Sequence, residues 1–268
     1  MHGGTTARAG RVSRLSGGTG RAPVLRAAVV LVWIPSVLLA DRGASLASQR
    51  LLGLATWALL GLLLWFENPM TRLQVGVVVA YATLVEYTFA GGLGVYVYRL
   101  ESSGVAHAWY DQVPAFVPPG HGLVYLAAVL LGRRAPRVAV PLAIGGVSLY
   151  ALWGLTLSPR LDVLGALWAG CLVWFLLRGR APRVYAAAFL VVTYLEIVGT
   201  SLGTWAWQPA DTVTGWIAIG NPPSGAAGGY CFFDAAALTI APLLLRQIRR
   251  RRRDPVPDPA PEPAAVSA

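Results

Sequence analysis

The sequence predicts an all-α, polytopic membrane protein with about eight transmembrane helices in two parallel four-helix repeats. Three observations carry that reading. Of 268 residues, 56% are hydrophobic and only 13% are charged, a balance foreign to soluble domains. Eight apolar runs alternate with more polar connections. All 22 basic residues are Arg, and they gather on alternate connections.

Residues 1–22, rich in Gly, Thr, Ser and Arg, are expected to form a disordered cytoplasmic tail. The first apolar run is Val24–Ala40. Basic residues before it and small residues after it also fit a signal peptide. The long basic segment ahead, and the count of spans that the duplication needs, argue for a retained span. Further runs lie at Leu51–Phe66, Leu73–Ala90, Pro119–Leu131, Val138–Leu157, Val163–Leu177, Val184–Leu202 and Pro223–Leu245. A bilayer core takes about 20 helical residues, so the shorter runs must borrow flanking ones. Pro35, Pro141 and Pro242 predict local kinks, or bends near span ends. Residues 251–268, with Arg, Pro and acidic residues, predict a second disordered tail. The repeats would then occupy 23–137 and 138–250.

Orientation follows from the arginines. With a cytoplasmic N-terminus, 18 of them fall on the cytoplasmic side and four (Arg42, Arg50, Arg99, Arg160) on the other. An odd number of spans would scramble that bias. Both termini are therefore expected in the cytoplasm, with the chain in a cell membrane. The net charge of +10 then answers to anionic headgroups. No basic groove interleaved with aromatic residues offers itself to nucleic acid. Membrane lipid and an apolar small molecule are the expected partners. Cys171 and Cys231 lie in separate apolar runs and imply neither a zinc site nor a disulfide. No metal is expected.

The two halves share a plan. Glu86 is followed by Gly94, then Tyr96 and Tyr98, then Pro118-Pro119-Gly120-His121 and Tyr125. Glu196 is followed by Gly203, then Trp205 and Trp207, then Pro222-Pro223 and Tyr230. In each, an aromatic-x-aromatic pair begins two residues after the glycine. Both halves would start and end in the cytoplasm, which is the parallel type of repeat.

Glu86, Glu196 and Asp234 are the candidate acids. A lipid-facing carboxylate costs a few kcal/mol on insertion scales, so they should face the bundle interior. A protonated acid bonded across helices is one reading. A proton donor tuned by burial is the other. His121 is a fourth candidate, or a polar helix start. His107, among Trp109, Tyr110 and Asp111, reads as interfacial. Tyr96, Tyr98, Trp205, Trp207 and Trp216 suit a membrane–water interface. Period-two spacing would also put both rings of a pair on one face, as a long apolar ligand requires. Tyr125 and Tyr230 join Tyr96, Tyr98, Trp205 and Trp207 as ligand-binding candidates. Asp-rich magnesium motifs, histidine clusters and phosphate-binding loops are missing.

Glu196-x6-Gly203-x-Trp205-x-Trp207 with its following Pro-Pro, and the copy at Glu86–Tyr98, resembles the carotenoid-biosynthesis membrane proteins of the carotenoid hydratase and heterodimeric lycopene cyclase group. The Phe-Gly usual before the aromatic pair in that group is absent here. The resemblance implies acid chemistry on a polyene without a cofactor. A carboxylic acid protonates a double bond, and aromatic faces stabilise the cation. The leading expectation is therefore binding and acid-catalysed modification of an isoprenoid-like lipid, in an outer-half cavity between runs three, four, seven and eight. A closed apolar cavity open sideways to lipid would suit it. A proton-coupled transporter using the same carboxylates, or a non-catalytic membrane scaffold, are the alternatives.

Overall fold

The computed structural model describes residues 21–99 and 112–251. The expected tails lie largely outside the described residues. So does the loop segment with His107, Trp109, Tyr110 and Asp111.

Eight α-helices and two short strands make up the described chain. Helices α1 (Ala22–Asp41), α2 (Leu46–Trp65) and α3 (Pro69–Glu86) come first. Pro23 and Pro69 open α1 and α3, where a missing N–H is no loss. Ser45 Oγ caps α2 by accepting from Ser48 N–H at 3.2 Å, and Asn68 Oδ1 caps α3 from Thr71 N–H at 3.0 Å. Strand β1 (Tyr96–Tyr98) precedes α4 (Val117–Gly132), α5 (Ala139–Thr156) and α6 (Val163–Arg178). Helix α7 (Pro182–Leu202), strand β2 (Trp205–Trp207) and α8 (Ala226–Arg251) complete the chain. Pro35 and Pro242 lie inside α1 and α8, whereas Pro141 sits in the first turn of α5.

Six of the helices (α1, α2, α3, α5, α7 and α8) are long and apolar enough to cross a membrane. Helices α4 and α6 are shorter, at 16 residues each. Every residue of α4 from His121 to Leu130 is buried. It runs through the middle of the bundle against α1, α3 and α7. Protein rather than lipid surrounds it, so its length answers to packing more than to bilayer thickness. The outer helices are apolar outwards as well: Leu25, Val32, Leu54, Leu62, Leu142 and Leu149 are exposed. Such a surface suits a hydrocarbon solvent, since large contiguous apolar patches are rare on soluble proteins.

The largest helix interfaces are α3 with α8 and α4 with α7. These four helices enclose the centre. Helices α5 and α6 pair with each other, and α6 lies against α8. At the end of α3 farthest from β1, Glu67 is buried and takes Arg26 at 2.7 Å and Arg133 at 3.0 Å. Arg133 also donates to Thr71 Oγ1 at 2.6 Å. This cluster ties the start of α1, the start of α3 and the end of α4.

Candidate functional site

Each half brings a carboxylate to a helix end and then turns back over it. Helix α7 carries Glu196 and ends at Gly203, whose φ of +69° only glycine adopts without strain. Helix α3 reaches Glu86 and continues as one π-helical turn, Tyr87–Gly92. The Leu93 N–H donates to Thr88 O at 2.8 Å, five residues back. Gly94 follows with φ of +62°. From Glu86 to Gly94 is eight residues, against seven from Glu196 to Gly203. A π-turn holds one residue more than an α-turn, so the longer spacing is absorbed before the strand begins.

Strands β1 and β2 pair antiparallel, Tyr96 opposite Trp207, Val97 opposite Ala206 and Tyr98 opposite Trp205. The ribbon is extended at both ends by Arg99 N–H to Thr204 O at 2.8 Å and Gln208 N–H to Val95 O at 2.9 Å. Alternation turns Val97 and Ala206 outwards and the four rings inwards. The rings meet across the ribbon, with Tyr96 and Trp207 centroids 4.5 Å apart and Tyr98 and Trp205 6.0 Å apart.

The inward rings hold the carboxylates. Glu86 Oε2 accepts from the hydroxyls of Tyr96 and Tyr98, both at 2.9 Å. Its Oε1 lies 2.8 Å from His121 Nε2. Glu196 Oε2 accepts from the indole N–H of Trp205 at 3.0 Å and of Trp207 at 3.1 Å. Its Oε1 has no hydrogen-bond partner among the described residues. Gly199 lets the Trp205 ring lie directly on α7, where a Cβ would collide with it. Both carboxylates are buried.

A cavity of about 270 Å³ opens beneath the ribbon. Glu86, Glu196, His121, Tyr96, Tyr98, Trp205, Trp207 and Tyr230 all line it. Most of the remaining wall is apolar, from α1, α4 and α8, including Ile34, Leu38, Val124 and Phe233. Tyr81, Phe89 and Phe232 line the cavity and are also 37%, 36% and 47% exposed. The cavity therefore reaches the side of the bundle.

Two candidates sit elsewhere. Tyr125 and Asp234 do not line the cavity. Each is four residues beyond a residue that does, His121 on α4 and Tyr230 on α8, and so lies one helical turn deeper. The interface reading of the aromatic pairs is also corrected. Their N–H and O–H groups face buried carboxylates, and only Trp216, 90% exposed, keeps an outward place.

Sequence reasoning missed the residues that hold the second strand. Arg160 donates to Trp207 O at 2.7 Å and to Gln208 O. Burial draws the Arg160 guanidinium pKa down, and the nearby Asp162 charge opposes that shift. Asn221 Oδ1 accepts from Trp207 N–H at 3.0 Å. Asp162 is buried and accepts the N–H groups of Gly165 at 2.9 Å, Gly220 at 2.8 Å and Ser224 at 2.6 Å. It thus caps α6 and pins the loop before α8. In sequence Asp162 shows only as an acid ahead of an apolar run, which reads as a cap. Among the described residues, no cluster of three or more His, Cys, Asp or Glu is placed to hold a metal ion. Comparison of the chain with protein-family models, with curated proteins and with solved structures finds no match.

Proposed function

We propose that this chain binds one end of a long, apolar, isoprenoid-like polyene in the cavity and modifies it by acid catalysis. One observation carries the reading. Two buried carboxylates, each held by its own aromatic pair, face a single, largely apolar cavity. The cavity, at 270 Å³, is just below the roughly 300–1,000 Å³ usual for small-molecule sites. It suits the reacting end of a long molecule whose remainder lies in the bilayer. Tyr81, Phe89 and Phe232 offer the sideways route to lipid. An aqueous transport pathway would call for more polar walls.

The two acids take different roles. An indole N–H only donates, so Glu196 Oε2 accepts both bonds in either protonation state. The proton of a neutral Glu196 therefore sits on Oε1, which has no hydrogen bond among the described residues beside those to Oε2. Glu196 is the donor to the double bond. The rings of Trp205, Trp207, Tyr96 and Tyr98 present their faces and edges to the cation that forms. Glu86 accepts up to three hydrogen bonds, which suits a carboxylate. With His121 it takes up the proton that the cation, or a water attacking the cation, gives up. The first outcome is an isomer and the second a hydrate.

The finer architecture belongs to the same proposal: eight spans, two parallel repeats and both termini in the cytoplasm. The ribbon supports it. Its hydrogen bonds come in pairs that exchange under a twofold axis through Val97 and Ala206, Arg99-to-Thr204 matching Gln208-to-Val95. The equivalence of α3–α8 with α4–α7 supports it too.

The test is conversion. Purified protein in lipid vesicles is given an acyclic carotene, and products are separated and weighed by mass spectrometry. An isomer of unchanged mass, or an adduct of one water, is expected, with loss of about 10²–10⁴-fold in rate for Glu196→Gln. Full activity in that variant, or neither conversion nor specific retention of the polyene by the native chain, would overturn the proposal.

A further inference from the structure

Three buried polar atoms at and below the cavity wall have no hydrogen-bond partner among the described residues: His121 Nδ1, Tyr125 Oη and Asp234 Oδ2. Native interiors hold few such atoms, and each calls for an explanation. Their arrangement supplies one. Helices α4 and α8 both start beside the ribbon and run away from it. His121 and Tyr230 form an upper layer between them, with ring centroids 5.2 Å apart. Tyr125 and Asp234, four residues on in each helix, form the layer beneath. Tyr125 is 2% and Asp234 4% exposed.

The imidazole is the link. Its Nε2 is committed to Glu86 Oε1 at 2.8 Å, which directs Nδ1 away from that carboxylate. Phe233 closes another side, with its ring 5.8 Å from the imidazole centroid and edge-on. A buried water typically makes about three hydrogen bonds, as many as there are orphaned atoms on these two turns.

We propose that Tyr125 and Asp234 form a second, proton-holding site that exchanges a proton with the Glu86–His121 pair through one bridging water at His121 Nδ1. The step balances in both directions. An imidazolium releases its Nδ1 proton to the water, the water passes one to the Asp234 carboxylate, and a charged pair becomes a neutral pair. In reverse, the Asp234 carboxylic acid recharges the imidazole, and Glu86 gains a proton through Nε2. The titratable groups within electrostatic reach of Asp234 are Tyr125 on α4, Tyr185 on α7 and Cys231 on α8. Among the described residues no salt bridge reaches it, so the proton is its counter-charge. The site rests on the acid-catalysis reading for its purpose, but not for its detection.

Infrared difference spectroscopy on the full chain in lipid, without substrate, tests it. A carboxylic-acid carbonyl band that changes with pH and shifts in D2O is expected. It should vanish in Asp234→Asn and move in frequency in both Tyr125→Phe and His121→Gln. Each variant is checked for an unchanged elution profile and melting curve. Absence of any Asp234-dependent band, or a band unmoved in both Tyr125→Phe and His121→Gln, overturns the proposal. Tyr125→Phe removes one hydroxyl and keeps the test open should Asp234→Asn fail to fold. A positive spectrum beside failed carotene conversion removes only the proposed reaction, and the converse removes only the relay.

Discussion

Glu86 and Glu196 sit on matching backbones and have unlike neighbours. Each lies near a helix end, before a left-handed glycine and a three-residue strand. Around Glu86 stand two phenols and an imidazole, all of which can donate or accept. Around Glu196 stand two indoles, which only donate. The first surroundings adapt to a carboxylate that changes charge. The second fix which oxygen accepts and, among the described residues, leave the other without a donor. A shared frame with different donors is thus enough to give two identical side chains separate tasks.

The comparison breaks most visibly if the acceptors are removed. Glu196→Ala leaves two buried indole N–H groups with nothing to accept them. At about 1–3 kcal/mol per orphaned donor, it should lower stability by about 2–6 kcal/mol. Glu196→Gln keeps the acceptor oxygen and should stay within about 1 kcal/mol, by the usual net worth of a retained hydrogen bond. Glu86→Ala should fall between, because phenol hydroxyls can rotate to other partners. Thermal unfolding in detergent reads all three. Equal losses for Glu86→Ala and Glu196→Ala would mean that donor type does not separate the centres.

A smaller effect tests the shared frame. Gly94→Ala and Gly203→Ala each force a side chain into the left-handed region, at about 1–2 kcal/mol. Similar losses in the two variants are expected from melting curves. A loss confined to Gly203→Ala would show that the π-turn relaxes the constraint at Gly94.

The smallest effect concerns the loop behind β2. Asp211 accepts the N–H groups of Val213, Thr214, Trp216 and Ile217. These bonds, those of Ile217 and Thr214 foremost, hold its carboxyl well below the usual carboxylate range. A depressed folded value means that the stabilisation is complete above the unfolded carboxylate pKa near 4 and fades as pH falls below it. Hydrogen exchange at residues 213–217 should therefore quicken on acidification below about pH 4, relative to β1. Asp211→Asn should show fast exchange there at neutral pH. Unchanged protection in that variant would assign the turn to its backbone alone.

The fold was legible where composition and period speak directly. Apolar runs became helices, and the Glu–Gly–aromatic pattern marked both halves of the site because each half is local in sequence. The burial of α4 on all sides was not legible, since a run such as Leu123–Leu131 reads alike in lipid and in protein. The direction of the rings was hidden as well. Tyr and Trp at a helix end fit an interface belt, and only pairing between β1 and β2 turns them inwards. Arg160, Asp162 and Asn221 were missed for a related reason. Their partners are mostly backbone atoms of other segments, which no spacing rule reports. Asp234 was seen as a deep acid, but its place one turn beyond Tyr230, whose ring meets that of His121, required the packing of α8 on α3 and α7.

The ribbon has a consequence for how the chain assembles. Tyr96 and Trp207 are 111 positions apart, and no hairpin turn joins their strands. Contacts so distant in sequence close late, after the helices that bring them together. Until then Tyr96 and Tyr98 stand by Glu86, and Trp205 and Trp207 by Glu196, without the cross-strand bonds that set their rings. The cavity is consequently expected to acquire its roof late in maturation. A chain interrupted between α4 and α5 would still carry every helix, yet each fragment would offer only half a roof. Recovery of the site on mixing such fragments would time the closure directly.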